Sequence, residues 1–378
     1  MLKIITIIGA RPQFVKATLV SRELKKLNKS HIKEIIIHTG QHYDPNLNAI
    51  FFKELELPKP KYNLGVKSKT QGKQVGEMLK KIEPILLKEK PSLVVVYGDT
   101  NSTLAGALAA AKLHIPVAHI EAGMRSFDKR MPEEINRLLV DHISQLLFCT
   151  SQNAINNLKR EGVTPHGNGT NIFKVGDVML DTLKHYDKLA SSQSNILTRL
   201  NLQKKRYFLA TVHRAENTND SKKLYTIFDS LNDLAYEGYM IVLPLHPRTK
   251  KRLKDITLRK CSKNFHIIQP VSYIDMLSLE KNARCIITDS GGVQKEAYYF
   301  SIPTLTLRDH TEWIETLEGG FNNLVPIEKS SIKKAFLNNL KTKKNSIRKN
   351  IYGHGLAAPQ IATIIRDYIK NRIISEPH

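Results

Sequence analysis

The chain passes from an apolar strand into a helix within the stretch TDSGGVQKEA, residues 288–297. A strand that turns directly into a helix aims free backbone N–H groups and the positive end of the helix dipole at a ligand above the turn. Gly291 and Gly292 would let an anion approach the backbone closely, and Ser290 can add a hydroxyl donor. Glu296 lies about a turn and a half into the helix, within reach of a ribose. The pattern predicts a site for a phosphate and a ribose, although a serine N-cap followed by two permissive glycines would explain the same residues.

The opening segment has the same architecture with cationic side chains. Residues 3–8, KIITII, are mostly apolar and predict a buried parallel strand, after which Pro12 suits the first position of an amphipathic helix. Arg11 stands at the turn and Lys16 one helical turn further on, so both cations can reach a ligand over the carboxyl end of the strand. No GxGxxG motif is present, which favours an anion held by cations over a dinucleotide fold. Two solvated basic residues near a helix start are the alternative.

Length and the alternation of short apolar runs with helical patterns predict an α/β fold of two domains. A chain of 378 residues with 41% hydrophobic content can fill two cores. The polar segment 191–205 separates two sets of strands, so we predict Rossmann-like, doubly wound domains over 1–190 and 191–358. The amphipathic segment 359–378 is predicted to return to the first domain. Two such domains facing each other would hold a ligand in a central cleft, at the carboxyl ends of their strands.

The predicted strands cover residues 3–8, 34–38, 93–97, 117–120, 146–149 and 173–175 in the first domain and 207–212, 240–245, 266–268, 285–288 and 304–307 in the second.

Composition excludes several classes of protein. No run is long and apolar enough to span a bilayer, and the N-terminus enters a strand without a signal peptide, so we expect a cytoplasmic protein that binds no membrane. Cys149, Cys261 and Cys285 form no CxxC motif and no pairing with histidine, which predicts buried free thiols and no metal. Cys261 is expected to lie in a basic helix.

The net charge of +23 raises the question of a nucleic-acid partner. Much of the charge lies in residues 248–263 and 333–349, which resemble helices with solvated basic faces and lack interleaved aromatics. Neither an RNA-stacking motif nor a helix-turn-helix pattern is visible. The sequence therefore predicts an anionic small ligand and no nucleic acid.

Three acidic motifs stand at strand ends or helix starts in the first domain. Asp99 follows a strand in GDT, Glu121 follows the next strand in EAGMR, and Glu133 begins a helix in MPEEINR. Singly, each has a structural explanation, since Asp99 can cap a helix and Glu133 favours a first turn. Together they would bring three carboxylates into one cleft, where repulsion and desolvation prepare an acid/base pair. This chemistry is proton transfer.

The second domain adds TVHRAEN, residues 211–217, and HPR, residues 246–248, each after a strand. His213 could be a strand-end histidine with satisfied hydrogen bonds. Placed opposite the carboxylates of the first domain, it would instead donate to a departing phosphate oxygen.

Eight motifs together resemble one family, the non-hydrolysing UDP-N-acetylglucosamine 2-epimerases. They follow in order over nearly the whole chain: GARPQFVK, HTGQHYD, GDTNSTLAGALAA, HIEAGMRS, MPEEINR, TVHRAEN, HPRT and DSGGVQKEA. The resemblance implies a GT-B-like fold, a homodimer, no cofactor and no metal. It also implies a UDP-sugar substrate, inverted at C2 through transient loss of UDP during the synthesis of polysaccharide precursors.

The resemblance also implies roles for single residues. Asp99, Glu121 and Glu133 would transfer protons at C2, with the identity of the first base left open, and His213 would stabilise the leaving UDP. The substrate-binding residues would be Arg11, Lys16, Ser290, Gly291 and Gly292 at the diphosphate, Glu296 at the ribose, Arg137 within the acidic cluster, His42, and a uracil loop over 270–276.

Departures from the family pattern bear on the sugar. The opening GTRPE pattern is replaced by residues 9–13, GARPQ, and Asp44 stands where members regulated by a second UDP-N-acetylglucosamine carry glutamine. RDHTEW, residues 308–313, stands where many members have TERP. These variants look more like the subgroup acting on UDP-2,3-diacetamido-2,3-dideoxyglucuronate, so either sugar fits. A GT-B glycosyltransferase is the alternative from another class, and it would not require the carboxylate set.

Overall fold

The computed structural model of the chain describes residues 2–27, 32–41, 57–68, 70–165, 169–341 and 350–375. The fold divides into two units, residues 1–182 with 350–378 and residues 183–349. The predicted boundaries, after 190 and 358, were drawn from polar composition. The structure places the division inside a helix, Val178–Gln193, where composition does not change abruptly.

The first unit is built on a parallel sheet of seven strands among the described residues, in the order β3-β2-β1-β4-β5-β6-β7. Strand β1 pairs with β2 on one side and with β4 on the other, so the strand order reverses there. In open α/β sheets this reversal is where ligands bind, at the carboxyl ends of the strands. The strands are β1 (Leu2–Ile8), β2 (Ile32–His38), β3 (Tyr62–Asn63), β4 (Leu93–Tyr97), β5 (Val117–Ala122), β6 (Leu146–Cys149) and β7 (Asn171–Lys174).

Helices connect these strands. They are α1 (Arg11–Lys26), α2 (Gln71–Glu89), α3 (Asn101–Lys112), α4 (Pro132–Ile143) and α5 (Gln152–Arg160), followed by α6 (Val178–Gln193), which enters the second unit. β4 reads LVVVY and is buried throughout, as expected of a parallel strand covered on both faces. Thr100 caps α3, and the alanines of this helix let it pack closely on the sheet.

A late segment of the chain completes the first unit. Helix α14 (Ala357–Ser375) packs on α1 and buries Ile361 and Ile365. Its first turn is fixed by a hydrogen bond from the Ala358 backbone N–H to Asp181 Oδ2 at 2.7 Å.

The second unit repeats the design with a parallel sheet in the order β10-β9-β8-β11-β12-β13, so its reversal lies between β8 and β11. Its strands are β8 (Phe208–Thr211), β9 (Ile241–Pro244), β10 (Phe265–Ile268), β11 (Cys285–Thr288), β12 (Thr304–Thr306) and β13 (Asn322–Leu324). Its helices are α7 (Ile196–Arg199), α8 (Ala215–Thr218), α9 (Ser221–Tyr236), α10 (Pro247–Leu253), α11 (Tyr273–Asn282), α12 (Gly291–Tyr299) and α13 (Lys329–Lys341), with a 3₁₀ helix at Ile314–Gly320.

Two sequence predictions about the basic segments need correction. Helix α10 ends at Leu253, so the rest of 248–263 is not helical, and Cys261 is exposed in an irregular segment rather than buried in a helix. Residues 342–349 lie outside the described part of the chain. No helix within the described residues is both long and apolar enough to cross a bilayer.

Candidate active site

The first group of candidate residues lies at the carboxyl ends of β1, β4 and β5, and we call it the carboxylate edge: Lys16, Asp99, Glu121, Glu134 and Arg137. The turn after β4 begins with Gly98, whose φ of +61° is a conformation that favours glycine. The Gly98 N–H donates to the Ile120 carbonyl at 2.9 Å, which ties this turn to β5 one residue before Glu121.

Glu121 has a left-handed backbone, with φ at +76°. The pairing of β5 with β6 shifts register between Ile120 and Ala122, so Glu121 is the extra residue of a β-bulge. A side chain in this conformation costs about 1–2 kcal/mol, and such strain is typical of functional sites. The bulge turns the Glu121 carboxylate to the Lys16 ammonium, with which it forms an ion pair between two nearly buried side chains.

Arg137 holds the second carboxylate. Its Nη2 donates to Asp99 Oδ2 at 2.5 Å and its Nη1 to Glu134 Oε2 at 2.7 Å. Glu134 also accepts backbone N–H groups from Ser126 and Phe127, each at 2.9 Å. One guanidinium therefore joins the turn after β4 to helix α4. This arrangement is consistent with the predicted organising role of Arg137.

The three predicted carboxylates are not arranged as a simple cluster. Glu121 faces Lys16 and Asp99 faces Arg137, so each has its own cation. Glu133 is half-buried, and no described residue forms a hydrogen bond or ion pair with it. Its neighbour Glu134 is the residue that reaches Arg137, and sequence reasoning missed it because two adjacent glutamates differ only in the helix face they occupy.

Gln13 explains the unusual opening motif. Its Oε1 accepts from the N–H groups of Gly9 and Ala10, at 2.8 and 3.0 Å, and so closes the turn before α1. Its Nε2 donates to the Tyr97 carbonyl at 2.9 Å, at the end of β4. A glutamate at this position has no N–H to donate, so the amide links β1 to β4 in a way that the family's GTRPE pattern does not.

The second group lies in the second unit and consists of residues 289–292, the anion loop, which links β11 to α12 and includes the first two residues of that helix. Ser290 is the N-cap of α12 and accepts from the Val293 N–H at 3.5 Å. Asp289 is fully buried and accepts the backbone N–H groups of His213 and Arg214, each at 3.0 Å. This carboxylate, which sequence reasoning passed over, holds the TVHRAEN turn against the anion loop.

His213 is partly accessible, with its side chain 34% exposed. Its Nδ1 lies 3.9 Å from Asp289 Oδ1, and its ring centroid lies 5.2 Å from that of His246. The two histidines of TVHRAEN and HPRT therefore stand side by side next to the anion loop.

The two glycines of the anion loop have different surroundings. A Cβ on Gly291 would lie 2.8 Å from Glu312 Oε1 and 3.0 Å from Trp313 Nε1, whereas a Cβ on Gly292 would meet nothing closer than Ser290 Oγ at 3.8 Å. Gly291 therefore makes room for the segment 308–313. Gly292 is the glycine at which a ligand could approach.

The segment 308–313, where the sequence departs from the family, packs directly behind the anion loop. Arg308 is buried and its Nη1 donates to Glu312 Oε2 at 3.0 Å, and Arg214 Nη2 approaches the other oxygen of Glu312 at 3.4 Å. Lys295 Nζ lies 3.7 Å from the centre of the Trp313 ring, a buried cation–π contact. The Trp313 side chain thus packs against α12 at Gly291 and at Lys295.

The predicted ribose and uracil residues meet each other. Tyr273, in the segment 270–276, donates its hydroxyl to Glu296 Oε1 at 3.0 Å. Ser272 caps α11 in the same segment. The roles of Glu296 at a ribose and of 270–276 at a uracil stay predictions.

Two predicted substrate-binding positions are not described as side chains. His42 lies outside the described residues, and Arg11 begins α1 while its side chain is outside the described part. Within the described ranges, no group of three His, Cys, Asp or Glu side chains is placed to hold a metal ion.

Comparison with known proteins gives the family. A family model described as UDP-N-acetylglucosamine 2-epimerase matches residues 25–366. The UDP-N-acetylglucosamine 2-epimerase homolog of Methanococcus maripaludis is 54% identical over 335 residues, 88% of this chain and 90% of that protein. The chain belongs to the UDP-N-acetylglucosamine 2-epimerase family.

Two further relatives show the range of this family. The UDP-2,3-diacetamido-2,3-dideoxy-D-glucuronate 2-epimerase of Pseudomonas aeruginosa is 46% identical over 367 residues, covering 96% of this chain and 98% of that protein. The crystal structure of Methanocaldococcus jannaschii UDP-GlcNAc 2-epimerase in complex with UDP-GlcNAc and UDP matches with a TM-score of 0.87 and 47% identity, over 96% of this chain and 99% of that one. The predicted family of isomerases and the GT-B-like α/β fold are confirmed.

Proposed function

We propose that the chain is a non-hydrolysing UDP-sugar 2-epimerase that interconverts UDP-N-acetylglucosamine and UDP-N-acetylmannosamine. The observation that carries the proposal is Glu121, held in a strained bulge and paired with Lys16, beside a second carboxylate, Asp99, held by Arg137. A carboxylate held in a fixed position can accept a proton and return one, which is the chemistry that inversion at a carbon requires.

The reaction has two halves. In the first, a carboxylate takes the C2 hydrogen as a proton while the bond from C1 to the UDP oxygen breaks. The C2–H electrons form the C1–C2 double bond of a 2-acetamidoglucal, and the C1–O electrons leave with UDP. In the second half, a carboxylic acid protonates C2 from the other face and the UDP oxygen bonds again to C1. Asp99, Glu121 and Glu133 are the proposed proton-transfer groups, with the order of their action left open.

The anion loop would bind the diphosphate. The N-terminus of α12 offers backbone N–H groups to an anion, and Gly292 leaves space for it. His213, fixed through its backbone by Asp289, would donate to the oxygen on which negative charge develops as UDP leaves. Lys16 and Arg11 are proposed to share the charge of the phosphates, and Glu296 to bind the ribose hydroxyls.

A second substrate has a specific observation in its favour. Trp313 fills the space behind Gly291, in the segment that departs from the family's TERP pattern. The Pseudomonas aeruginosa relative, 46% identical over nearly the whole chain, is named for UDP-2,3-diacetamido-2,3-dideoxy-D-glucuronate. This sugar is therefore the second candidate.

We further propose that the protein works as a homodimer in the cytoplasm, supplying precursors for surface polysaccharides.

The decisive experiment is proton NMR of the products after incubation with each UDP-sugar in deuterated water. The proposed elimination predicts a C2 epimer that carries deuterium at C2, formed reversibly and without net release of UDP. A product that keeps its original C2 hydrogen would contradict the elimination, and irreversible release of UDP would indicate a hydrolase. The sugar that turns over decides between the two substrates, and turnover of neither would overturn the function.

A substitution connects the reaction to the carboxylate edge. Glu121→Gln keeps the shape of the side chain but removes its basicity, so we expect turnover to fall by about 100-fold or more with UDP-sugar affinity retained. Glu89→Gln is the matched control, because Glu89 is a buried carboxylate paired with Lys3 and Lys61 and belongs to no part of the candidate site, so its rate should stay normal. A normal rate in a folded Glu121→Gln variant would remove Glu121 from the mechanism.

A further inference from the structure

A buried histidine lies two residues before Glu121 and contacts the turn after β4. His119 in β5 has no exposed surface. Its Nε2 lies 2.7 Å from the carbonyl oxygen of Gly98, and its Nδ1 lies 2.7 Å from Oδ1 of Asp141 in α4. The ring therefore links its own strand, which carries Glu121, to the turn that carries Asp99 and to the helix that carries Arg137.

The partners of this ring decide where its protons are. A backbone carbonyl only accepts hydrogen bonds, so Nε2 must carry a hydrogen. Asp141 Oδ2 also accepts from Arg125 Nη1 at 2.7 Å and from the Gly123 N–H at 3.1 Å, which an ionised carboxylate satisfies best. Nδ1 must then donate to the other oxygen of Asp141.

The charges around the ring are consistent with this arrangement. Burial by itself raises the pKa of Asp141, but the paired charges of His119 and Arg125 outweigh burial and lower it. Arg125 in turn pairs with Glu161 at 2.6 Å, so its guanidinium lies between two carboxylates. A buried network of this kind is stable only when every member has its partner.

The network fixes the backbone before and after Glu121 in the sequence. Asp141 contacts His119, two residues before Glu121, and the N–H of Gly123, two residues after it. The turn after β4 adds two more hydrogen bonds, from the Gly98 N–H to the Ile120 carbonyl and from His119 to the Gly98 carbonyl. A strained backbone persists only where its surroundings determine it, and these contacts supply that determination.

We propose that His119, protonated on both ring nitrogens, is a positioning residue that together with Asp141 keeps the Glu121 bulge in register with the Gly98–Asp99 turn. It acts through Glu121 and does not need to contact the substrate. Its function in the reaction rests on the proposed epimerase activity. The protonation of its ring can be tested without that activity.

The kinetic test is a double-mutant cycle between His119 and Glu121. His119→Phe keeps a planar aromatic ring and removes both N–H donors, whereas His119→Gln keeps an amide NH2 group as donor. We expect the kcat of His119→Phe to fall by about tenfold or more with KM changed by less than about threefold, and His119→Gln to lose less. Because His119 acts through Glu121, adding either substitution to Glu121→Gln should slow that variant by no more than about threefold.

Controls separate positioning from general loss of stability. Glu89 is a buried carboxylate bonded to Lys3, Lys61 and Tyr62 near the amino end of β1, the opposite edge of the same sheet. Glu89→Gln should lower the melting temperature without lowering kcat per UDP-binding molecule. If the losses at His119 and Glu121 simply multiply in the cycle, the positioning role is refuted.

Nitrogen-15 NMR of the histidine rings supplies the second readout. His119→Gln, which also serves if His119→Phe fails to fold, assigns the His119 signals by their disappearance. Both ring nitrogens should carry hydrogen, as the hydrogen-bond partners require, and an unprotonated nitrogen would overturn the proposal. A wild-type enzyme that epimerises neither sugar would instead overturn the proposed function and leave the NMR result to be judged by itself.

Discussion

The left-handed backbone of Glu121 predicts an unusual order of stability between two substitutions. Glu121→Ala and Glu121→Gly both remove the ion pair with Lys16, so that cost is common to them. At a φ of +76°, alanine is destabilised by about 1–2 kcal/mol of steric strain, which glycine avoids. Glycine, in turn, loses more backbone entropy on folding, which costs about 0.5–1 kcal/mol relative to alanine. The net expectation is a Glu121→Gly variant more stable than Glu121→Ala by about 1 kcal/mol.

The control is the same pair of substitutions at Lys33, an exposed residue of β2 without positive φ. There alanine should be the more stable by about 0.5–1 kcal/mol. Melting temperatures measure the comparison, at about 2–4 °C per kcal/mol for a unit of this size. If alanine is also more stable than glycine at 121, the strain we assign to the bulge is absent. Both Glu121 variants are expected to be inactive.

Three further predictions concern single residues. His213→Ala should lower turnover by about 100-fold or more while UDP affinity changes little, because the hydrogen bond from His213 strengthens as UDP leaves. Initial rates measure the turnover and calorimetry the affinity, and an affinity that fell as far as the rate would contradict this role. Gly291→Ala should lower the melting temperature because it meets Glu312, whereas Gly292→Ala should melt normally and bind UDP more weakly; the reverse pattern would contradict the ligand approach at Gly292. The side-chain hydrogen bonds from Lys61, Tyr62 and Lys3 lower the pKa of Glu89 to about 2, so its stabilising contribution is full above its unfolded pKa of about 4.3 and is lost as pH falls toward 2. The gap in melting temperature between wild type and Glu89→Gln should narrow over that range, and a constant gap would refute the assignment.

The strands could be predicted because parallel strands bury both faces and their apolar runs are plain in the sequence. The runs at 93–97, 146–149 and 285–288 match β4, β6 and β11 residue for residue. The short strands β3 and β13 were missed, since YN and NNL carry no apolar run. The helical prediction over 248–263 was right only as far as Leu253, because basic residues alone do not give a stable helix beyond α10.

The motifs locate the candidate residues, but their geometry depends on contacts that no local pattern contains. Glu121 was recognised as a carboxylate at a strand end, whereas its positive φ arises from a register shift against β6. Glu134 was passed over for its neighbour Glu133. The importance of His119 depends on Asp141, 22 residues away, and on a carbonyl in the turn after β4. Such pairs become visible only when the sheet has brought them together.

Helix α14 has a consequence for synthesis of the chain. Its residues, 357–375, belong to the first unit but are translated after the whole second unit, residues 183–349. The second unit is contiguous, so it can fold on the ribosome while the first unit still lacks the partner of α1. The hydrogen bond from the Ala358 N–H to Asp181 likewise forms only after residue 358 has been translated. A fragment that stops at residue 182 would expose the surface of α1 that α14 covers, and splitting the protein at the boundary between the units would not give two independent pieces.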